Sequence, residues 1–345
     1  MRVWHGRFVT AAIVSALIVS AGPRAFAAPD TSRTVTDEVG RKVTVPAEVK
    51  RIVTLAPNLT ETIYALGLGD RLVGDTNFCD TPEAAKSKPH VGNPQNPNLE
   101  AIVALHPDLV LATTSINTLE TADALKRLGI AVYTSDPQTV RGMLDSTSHV
   151  AEVIGAAQQG TELVGRMQQR LDALHARLSE RPMVHVLFVV WLEPLQTIGQ
   201  NTFIADALRW AGTESVLVSK QNWPHLSLEE VVRLQPDYIV FTEDHGGGVS
   251  TELADLRARP VWRDLDAVER GHVVNVSEEV VRPSPGLVDV IEQLARDVHP
   301  EAFAADEGRR SRGGTLYAQH EIDSVGAGLK PAPTCPAKEL ATCAR

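Results

Sequence analysis

Cysteine is nearly missing from this chain of 345 residues: only Cys79, Cys335 and Cys343 occur. Three thiols cannot all pair within one chain, and their spacing matches no zinc framework. In an oxidising compartment Cys335 and Cys343 are able to form a disulfide, which leaves Cys79 as a free thiol. Aromatic residues are scarce, at 5%. Positive charge is outweighed, with 33 Lys and Arg against 43 Asp and Glu. That balance argues against nucleic acid and anionic lipid as partners. The sequence has no Gly-x-Ser-x-Gly elbow, no His-Glu-x-x-His, no Walker loop and no Rossmann glycine fingerprint after a strand. Its 11 histidines include no i, i+4 pair. An exported α/β enzyme therefore stands only as a distant alternative, and a metal carrier lacks its usual ligands.

What is present begins with an export signal. Arg2 and Arg7 lead into an apolar run over residues 8–21, and Ala25-Phe26-Ala27 follows as a small-x-small cleavage site. A membrane anchor is the alternative, but the run is shorter than the ~20 residues a spanning helix needs. No cysteine follows the cleavage region, so no lipid-anchor motif is expected. Loss of Arg2, Arg7 and Arg24 with the leader takes the formal charge from −10 to −13.

Short apolar strands then alternate with helices. A strand pair is predicted over 34–36 and 42–45, turning at Val39-Gly40. Strands follow at 51–55, 71–74, 108–112 and 130–134, with helices at 60–66, 99–105 and 119–128. Ala56-Pro57-Asn58 breaks the chain before the first helix. Pro107 stops the second, because a residue preceding proline avoids the α region. This is the pattern of βαβ units on a parallel sheet. From 140 to 178 apolar residues recur at helical spacing with no strand between them. Gly155 divides that stretch. The piece over 156–180 reaches about 37 Å at 1.5 Å per residue, enough to bridge two lobes; two ordinary packing helices are the alternative. Alternation resumes with strands at 184–190, 238–241 and 272–276 and helices at 201–211 and 228–234.

Segment 98–110 lines up without a gap on 227–239: Glu100 falls on Glu229, Pro107 on Pro236 and Asp108 on Asp237. One such pair is far from a solenoid and points to two similar α/β lobes. Beyond about Phe303 the periodicity is lost, and a disordered tail is expected. The division expected is a leader over 1–27, a first α/β lobe over 28–138, a helical spacer with the long interlobe helix over 139–181, a second α/β lobe over 182–303 and the tail over 304–345.

Several stretches recur in a known order: Asp37-Glu38-Val39-Gly40-Arg41 with 43–46; Arg51-Ile52-Val53-Thr54-Leu55-Ala56-Pro57 with Thr60-Glu61; Ala65-Leu66-Gly67; 98–110; and Arg270-Gly271-His272-Val273. Over roughly 34 to 300 the chain resembles the helical-backbone class of periplasmic binding proteins that serve vitamin B12, ferric-siderophore and haem importers. The resemblance implies two Rossmann-like lobes, each a parallel-rich sheet flanked by helices, joined by one long α-helix with the ligand cleft between. It also implies a periplasmic monomer that hands its cargo to an inner-membrane ABC permease with its ATPase. No catalytic residue, resident metal or cofactor is expected.

Within that class the chain is similar to the B12-binding branch. Phe78-Cys79-Asp80-Thr81-Pro82 looks like its first-lobe cleft loop, and Trp191-Leu192-Glu193-Pro194 like its second-lobe loop. Trp223-Pro224 falls where that branch carries a Trp-Pro facing the ligand, and Glu278 and Arg282 fall in the last cleft loop. The ligand-binding residues implied are thus Phe78, Cys79, Asp80, Trp191, Glu193, Trp223, Glu278 and Arg282. Glu100 and Glu229 are implied to meet arginines of the permease. The chain departs from the branch at Asn93-Pro94 and at Thr113, where the better-known B12 binders carry an aromatic. A corrinoid is the cargo implied; haem and a ferric siderophore are the alternatives.

By residue type alone, most of these positions also admit a plainer role. Trp191 and Trp223 either face a ligand from loops, where binding residues concentrate, or pack on their own lobes. Cys79 lines the cleft, ligates a metal as a lone thiolate, or is simply buried. Arg282 donates to amide or carboxylate oxygens or is a surface charge, and either glutamate alone is an ordinary helix charge. His90 and His225 are the histidines available as axial ligands to haem. His245, beside Asp244 and Gly246-Gly247-Gly248, suits a metal or, more simply, a turn.

Overall fold

The computed structural model describes residues 32–242 and 248–304 besides Met1. The leader, the Asp244-His245 turn, Cys335, Cys343 and the expected tail lie outside the described residues. An antiparallel ribbon of β1 (Ser32–Thr36) and β2 (Lys42–Pro46) comes first. The first lobe follows: β3 (Ile52–Thr54), α1 (Pro57–Ala65), β4 (Leu72–Gly74), the short pair β5 (Gly92–Asn93) and β6 (Asn96–Pro97), α2 (Leu99–Ala104), β7 (Leu109–Thr113), α3 (Leu119–Arg127) and β8 (Val132–Ser135). Its main strands are all parallel, in the order β4-β3-β7-β8.

Two helices separate the lobes, α4 (Val140–Val153) and α5 (Ala157–Leu178), turned at Gly155 with φ +73°. The second lobe contains β9 (Val184–Phe188), the hairpin β10 (Trp191–Leu192) and β11 (Leu195–Gln196), α6 (Phe203–Trp210), β12 (Thr213–Ser215), α7 (Leu228–Leu234), β13 (Tyr238–Thr242), α8 (Gly248–Ala258), α9 (Asp266–Arg270), β14 (Val273–Val276) and α10 (Leu287–Val298). Its sheet is also parallel, in the order β12-β9-β13-β14.

Successive strand residues point to opposite faces, so each sheet is buried twice. In the first lobe Val53, Val110 and Val132 meet Ile102 of α2 and Leu125 of α3 in one cluster. In the second, Leu187, Ile239 and Val273 meet Val231 of α7 and Val268 of α9 in another. The alternate set shares a single core that crosses between the lobes. Ile52, Leu109 and Leu111 join it from one side and Val186, Phe188 and Val240 from the other, with α4, α5 and α10 between them. A close-packed interior of this kind resists shear, which favours small lobe motions over wide opening.

Helix α5 shows why it joins both lobes. Leu163, Met167, Leu171, Leu174 and Leu178 are buried at spacings of three and four residues, which puts them on one face. Its 22 residues extend about 33 Å. Arg170 pins it to α10 through Asp289 at 2.5 Å and Glu292 at 2.9 Å. The N-terminus of α4 is held by the second lobe, since the Val140 N–H donates to Asp206 of α6 at 2.8 Å.

The aligned segments do the same work in each lobe. Each helix stops in a left-handed residue directly before the proline, His106 at φ 46° and Gln235 at φ 42°. Each following aspartate then ties its strand to the neighbour: Asp108 accepts from the Lys50 and Arg51 N–H groups at 2.8 Å, and Asp237 from the His185 N–H at 2.9 Å. Helix α1 starts at Pro57 instead of after it, because proline is tolerated in a first turn, where its missing N–H has no helical partner. The short pair β5–β6, the hairpin β10–β11, strand β12 and helices α8, α9 and α10 add to the elements expected. No described helix is long and apolar enough to cross a membrane.

Candidate functional site

In parallel sheets ligands bind outside the carboxyl ends of the strands. Here those ends lead into the loops after β3, β4 and β7 in one lobe and after β9, β12 and β14 in the other. A cavity of about 290 Å³ lies where the two sets meet. Pro57, Asn58, Phe78, Ser115 and Ile116 line it from the first lobe, and Val281, Arg282 and Pro283 from the second. Phe78 and Arg282, far apart in sequence, are thus brought to one site.

Arg282 forms the floor. Its Nη2 donates to Glu278 at 3.1 Å and its Nη1 crosses to Glu61 of α1 at 3.4 Å. Asn58 Nδ2 also crosses, to the Pro283 carbonyl at 3.5 Å. Glu61 is buried, and its Oε2 has no geometric hydrogen-bond partner. Burial pushes its carboxyl above the ordinary range, against the pull of the Ser284 hydroxyl and the Arg282 guanidinium. The cation that lines the cavity is therefore already engaged by carboxylates.

The second lobe carries two exposed indoles, neither of which lines the cavity. Trp191 is 59% exposed and Trp223 49%. Large aromatics left in water on a folded surface mark contact sites when they cluster. Trp191 is held by its own Nε1–H, which donates to the Glu193 carbonyl at 2.8 Å. Glu193 pairs with Arg259, so its side chain is committed within its own lobe. Gln196 lies between the indole segments: it pairs with Trp191 across the hairpin, bridges to His225, and its side-chain amide donates to the Trp223 carbonyl at 3.4 Å.

On the first lobe Phe78 is exposed, while Cys79, next to it, is buried beneath the loop. The Cys79 sulfur accepts from Thr60 Oγ1 at 3.1 Å and lies 3.2 Å from Thr76 Oγ1. Burial pushes the thiol up and away from thiolate, so Cys79 anchors the loop from inside and presents no nucleophile to the cleft. Asp80 is exposed at the loop's edge. Among the described residues no group of three His, Cys, Asp or Glu is placed to hold a metal ion.

Beneath the same loop, His90 Nδ1 lies 2.7 Å from Asp75 Oδ1, and the other Asp75 oxygen is buried without a partner. Burial raises the Asp75 carboxyl to about 6, against the pull of His90 and Lys88. An unfolded Asp ionises near 4. Between those values the folded state holds the extra proton, so this group's contribution to stability falls as pH rises through the window. Asp75→Asn keeps an acceptor for His90 and removes the buried charge. It is expected to stabilise the protein by on the order of 2 kcal/mol at pH 7.5, with the gain shrinking as pH drops from 6 toward 4. Urea melts across that range check this, and a variant weaker than the parent at pH 7.5 would sink it.

Glu100 and Glu229 are exposed at the second position of α2 and α7. Asn98 caps one helix and Ser227 the other, where acidic residues suit the helix dipole. Both helices start from the carboxyl ends of the sheets, so both glutamates stand on the cleft side of their lobes.

Sequence reasoning passed over Asn58, Glu61 and Asn117 as site residues. Asn117 donates to the Leu55 and Pro94 carbonyls at 2.8 and 2.9 Å and accepts from the Thr113 N–H at 2.8 Å, joining three cleft segments. The Thr60-Glu61 motif was a visible signal for Glu61; nothing in the sequence marks Asn117.

A family model described as periplasmic binding protein matches residues 52–280. An uncharacterized ABC transporter substrate-binding lipoprotein, YvrC of Bacillus subtilis (strain 168), is 33% identical over 279 residues, covering 78% of this chain and 86% of its own. The solved periplasmic vitamin B12 binding protein BtuF of Vibrio cholerae is similar with a TM-score of 0.61 at 26% identity, over 72% of this chain and 96% of that one. The periplasmic heme-binding protein RhuT from Roseiflexus sp. RS-1 has a TM-score of 0.65 at 23% identity, over 74% and 99%, and shares the fold.

Proposed function

The chain belongs to the periplasmic binding protein family that serves ABC importers, and on that footing we propose that it carries a corrinoid, a vitamin B12-like ligand, in the interlobe cleft. It is a binding protein and not an enzyme. Phe78 at the interlobe cavity with an arginine already paired, together with Trp191 and Trp223 held out toward solvent on the second lobe, is the combination that carries the proposal. A corrin ring offers an apolar face for the aromatics and an amide-studded edge that asks for dipoles, not a free cation. The resemblance to the B12-binding branch and the likeness to BtuF point the same way.

Haem and ferric siderophores fit less well. Siderophore complexes favour available cations, and Arg282 is held by Glu61 and Glu278. Haem asks for an axial Tyr or His; His90 has one ring nitrogen committed to Asp75, and His225 remains on the second lobe. The protein works, in this reading, as an exported monomer that acts without a cofactor and docks on its permease through Glu100 and Glu229.

Titrating purified protein with cyanocobalamin, hemin and a ferric siderophore separates these cargoes by their visible spectra. Saturable binding of cyanocobalamin at micromolar or tighter affinity is expected. Saturation by hemin with no response to cyanocobalamin would overturn the corrinoid assignment and leave the transport role intact.

A further inference from the structure

Among the described residues Arg282 is the only arginine or lysine lining the interlobe cavity. A free guanidinium there would attract any anionic cargo bidentately. Instead its two terminal nitrogens are used from both sides of the cleft, by Glu278 of its own lobe at 3.1 Å and by Glu61 of the other at 3.4 Å. Glu61 comes from α1 and is 7% exposed, and its Oε2 has no geometric partner. Glu279 adds a further carboxylate to the field at Glu61. The cation that lines the cavity is thus paired with two acidic side chains, one from each lobe. A ligand carboxylate arriving there meets a guanidinium whose charge is already matched by Glu61 and Glu278, and must be desolvated beside like charges, which is costly in a partly buried site.

We propose that Glu61 and Glu278 act as an anion filter: by occupying Arg282 they make the cleft select fully amidated corrinoids over corrinoids that bear a free carboxylate. Discrimination of this type works by penalising the wrong ligand, not by adding contacts to the right one. It rests on the corrinoid reading above. The two glutamates are specificity determinants, and Arg282 is the group they control. The paired design also explains why a cation sits in the cleft at all: it offsets the acids enough to let a neutral amide edge approach.

The test compares two ligands with the same ring, cyanocobalamin and the cyanocobalamin monocarboxylic acids in which one peripheral propionamide is hydrolysed. Isothermal titration calorimetry at pH 7.5 gives the ratio of their dissociation constants. In the parent protein the isomer whose acid faces the floor is expected to bind about 10-fold or more weakly than cyanocobalamin, at 1.4 kcal/mol per decade. In Glu61→Gln/Glu278→Gln, which frees Arg282 with nearly isosteric amides, that ratio is expected to fall to about 1 or to invert. In Arg282→Gln, which leaves the acids without their cation, it is expected to widen. Equal binding of every acid and of cyanocobalamin by the parent, or an unchanged ratio in the double variant, overturns the filter and leaves the corrinoid reading standing. A parent that binds neither overturns both. If thermal melting shows the double variant unfolded, Arg282→Gln decides alone, and a ratio that narrows or stays put refutes the filter.

Discussion

Replacing both exposed indoles of the second lobe, Trp191→Ala with Trp223→Ala, is expected to lower cyanocobalamin affinity about 100-fold. Each aromatic contributes ~0.5–1.5 kcal/mol beyond its buried area, and the area itself adds to that; 2.7 kcal/mol corresponds to two decades. Both side chains stand half in water in the described structure, so neither truncation opens a hole in the lobe. Trp191 is also braced by the Glu193 carbonyl, and Trp223 sits on a segment held by Gln196, so little freedom is lost when a ring stacks on them. Fluorescence supplies a second readout. Trp210 packs edge-on to His175 and Trp262 is buried, both on the body of the second lobe. Corrinoid is expected to quench the parent saturably and the double variant only weakly. A loss of affinity under threefold would place the ring elsewhere.

Glu100→Ala/Glu229→Ala cuts uptake at least 10-fold while cyanocobalamin affinity stays at the parent value. The two glutamates take the same place on equivalent helices, both exposed and both on the cleft side. A pair so arranged suits a partner with two matching basic sites. Exposed rim pairs act mainly on encounter rate and register, so the deficit shrinks as added salt screens their field in the parent. Each single variant is expected to fall between parent and double variant. Uptake of labelled cyanocobalamin by cells, beside equilibrium dialysis of the pure proteins, measures both halves. Transport at the parent rate by the double variant rejects the docking role.

The sequence by itself determined the repeating elements of this protein. Strands such as residues 109–113 are buried on both faces, so they read as continuous apolar runs. The stripe of α5 follows from its 3.6-residue period, and the stop before Pro107 and Pro236 from local sterics. The likeness of 98–110 to 227–239 foretold two lobes, because each copy carries its own helix, stop and strand tie. The exposed aromatics were also legible, since Phe78 and Trp223 sit in loops and Trp191 in a two-residue hairpin strand, where little of the nearby chain is able to cover them. Only the tertiary structure decided which polar groups cancel one another. Arg282 looked like a free donor; Glu61 meets it from 221 positions away. Cys79 looked like a cleft residue, and Thr60 and Thr76 draw it into the body of the lobe. Pairings of this kind depend on distance through space and on local burial, and a one-dimensional pattern carries neither.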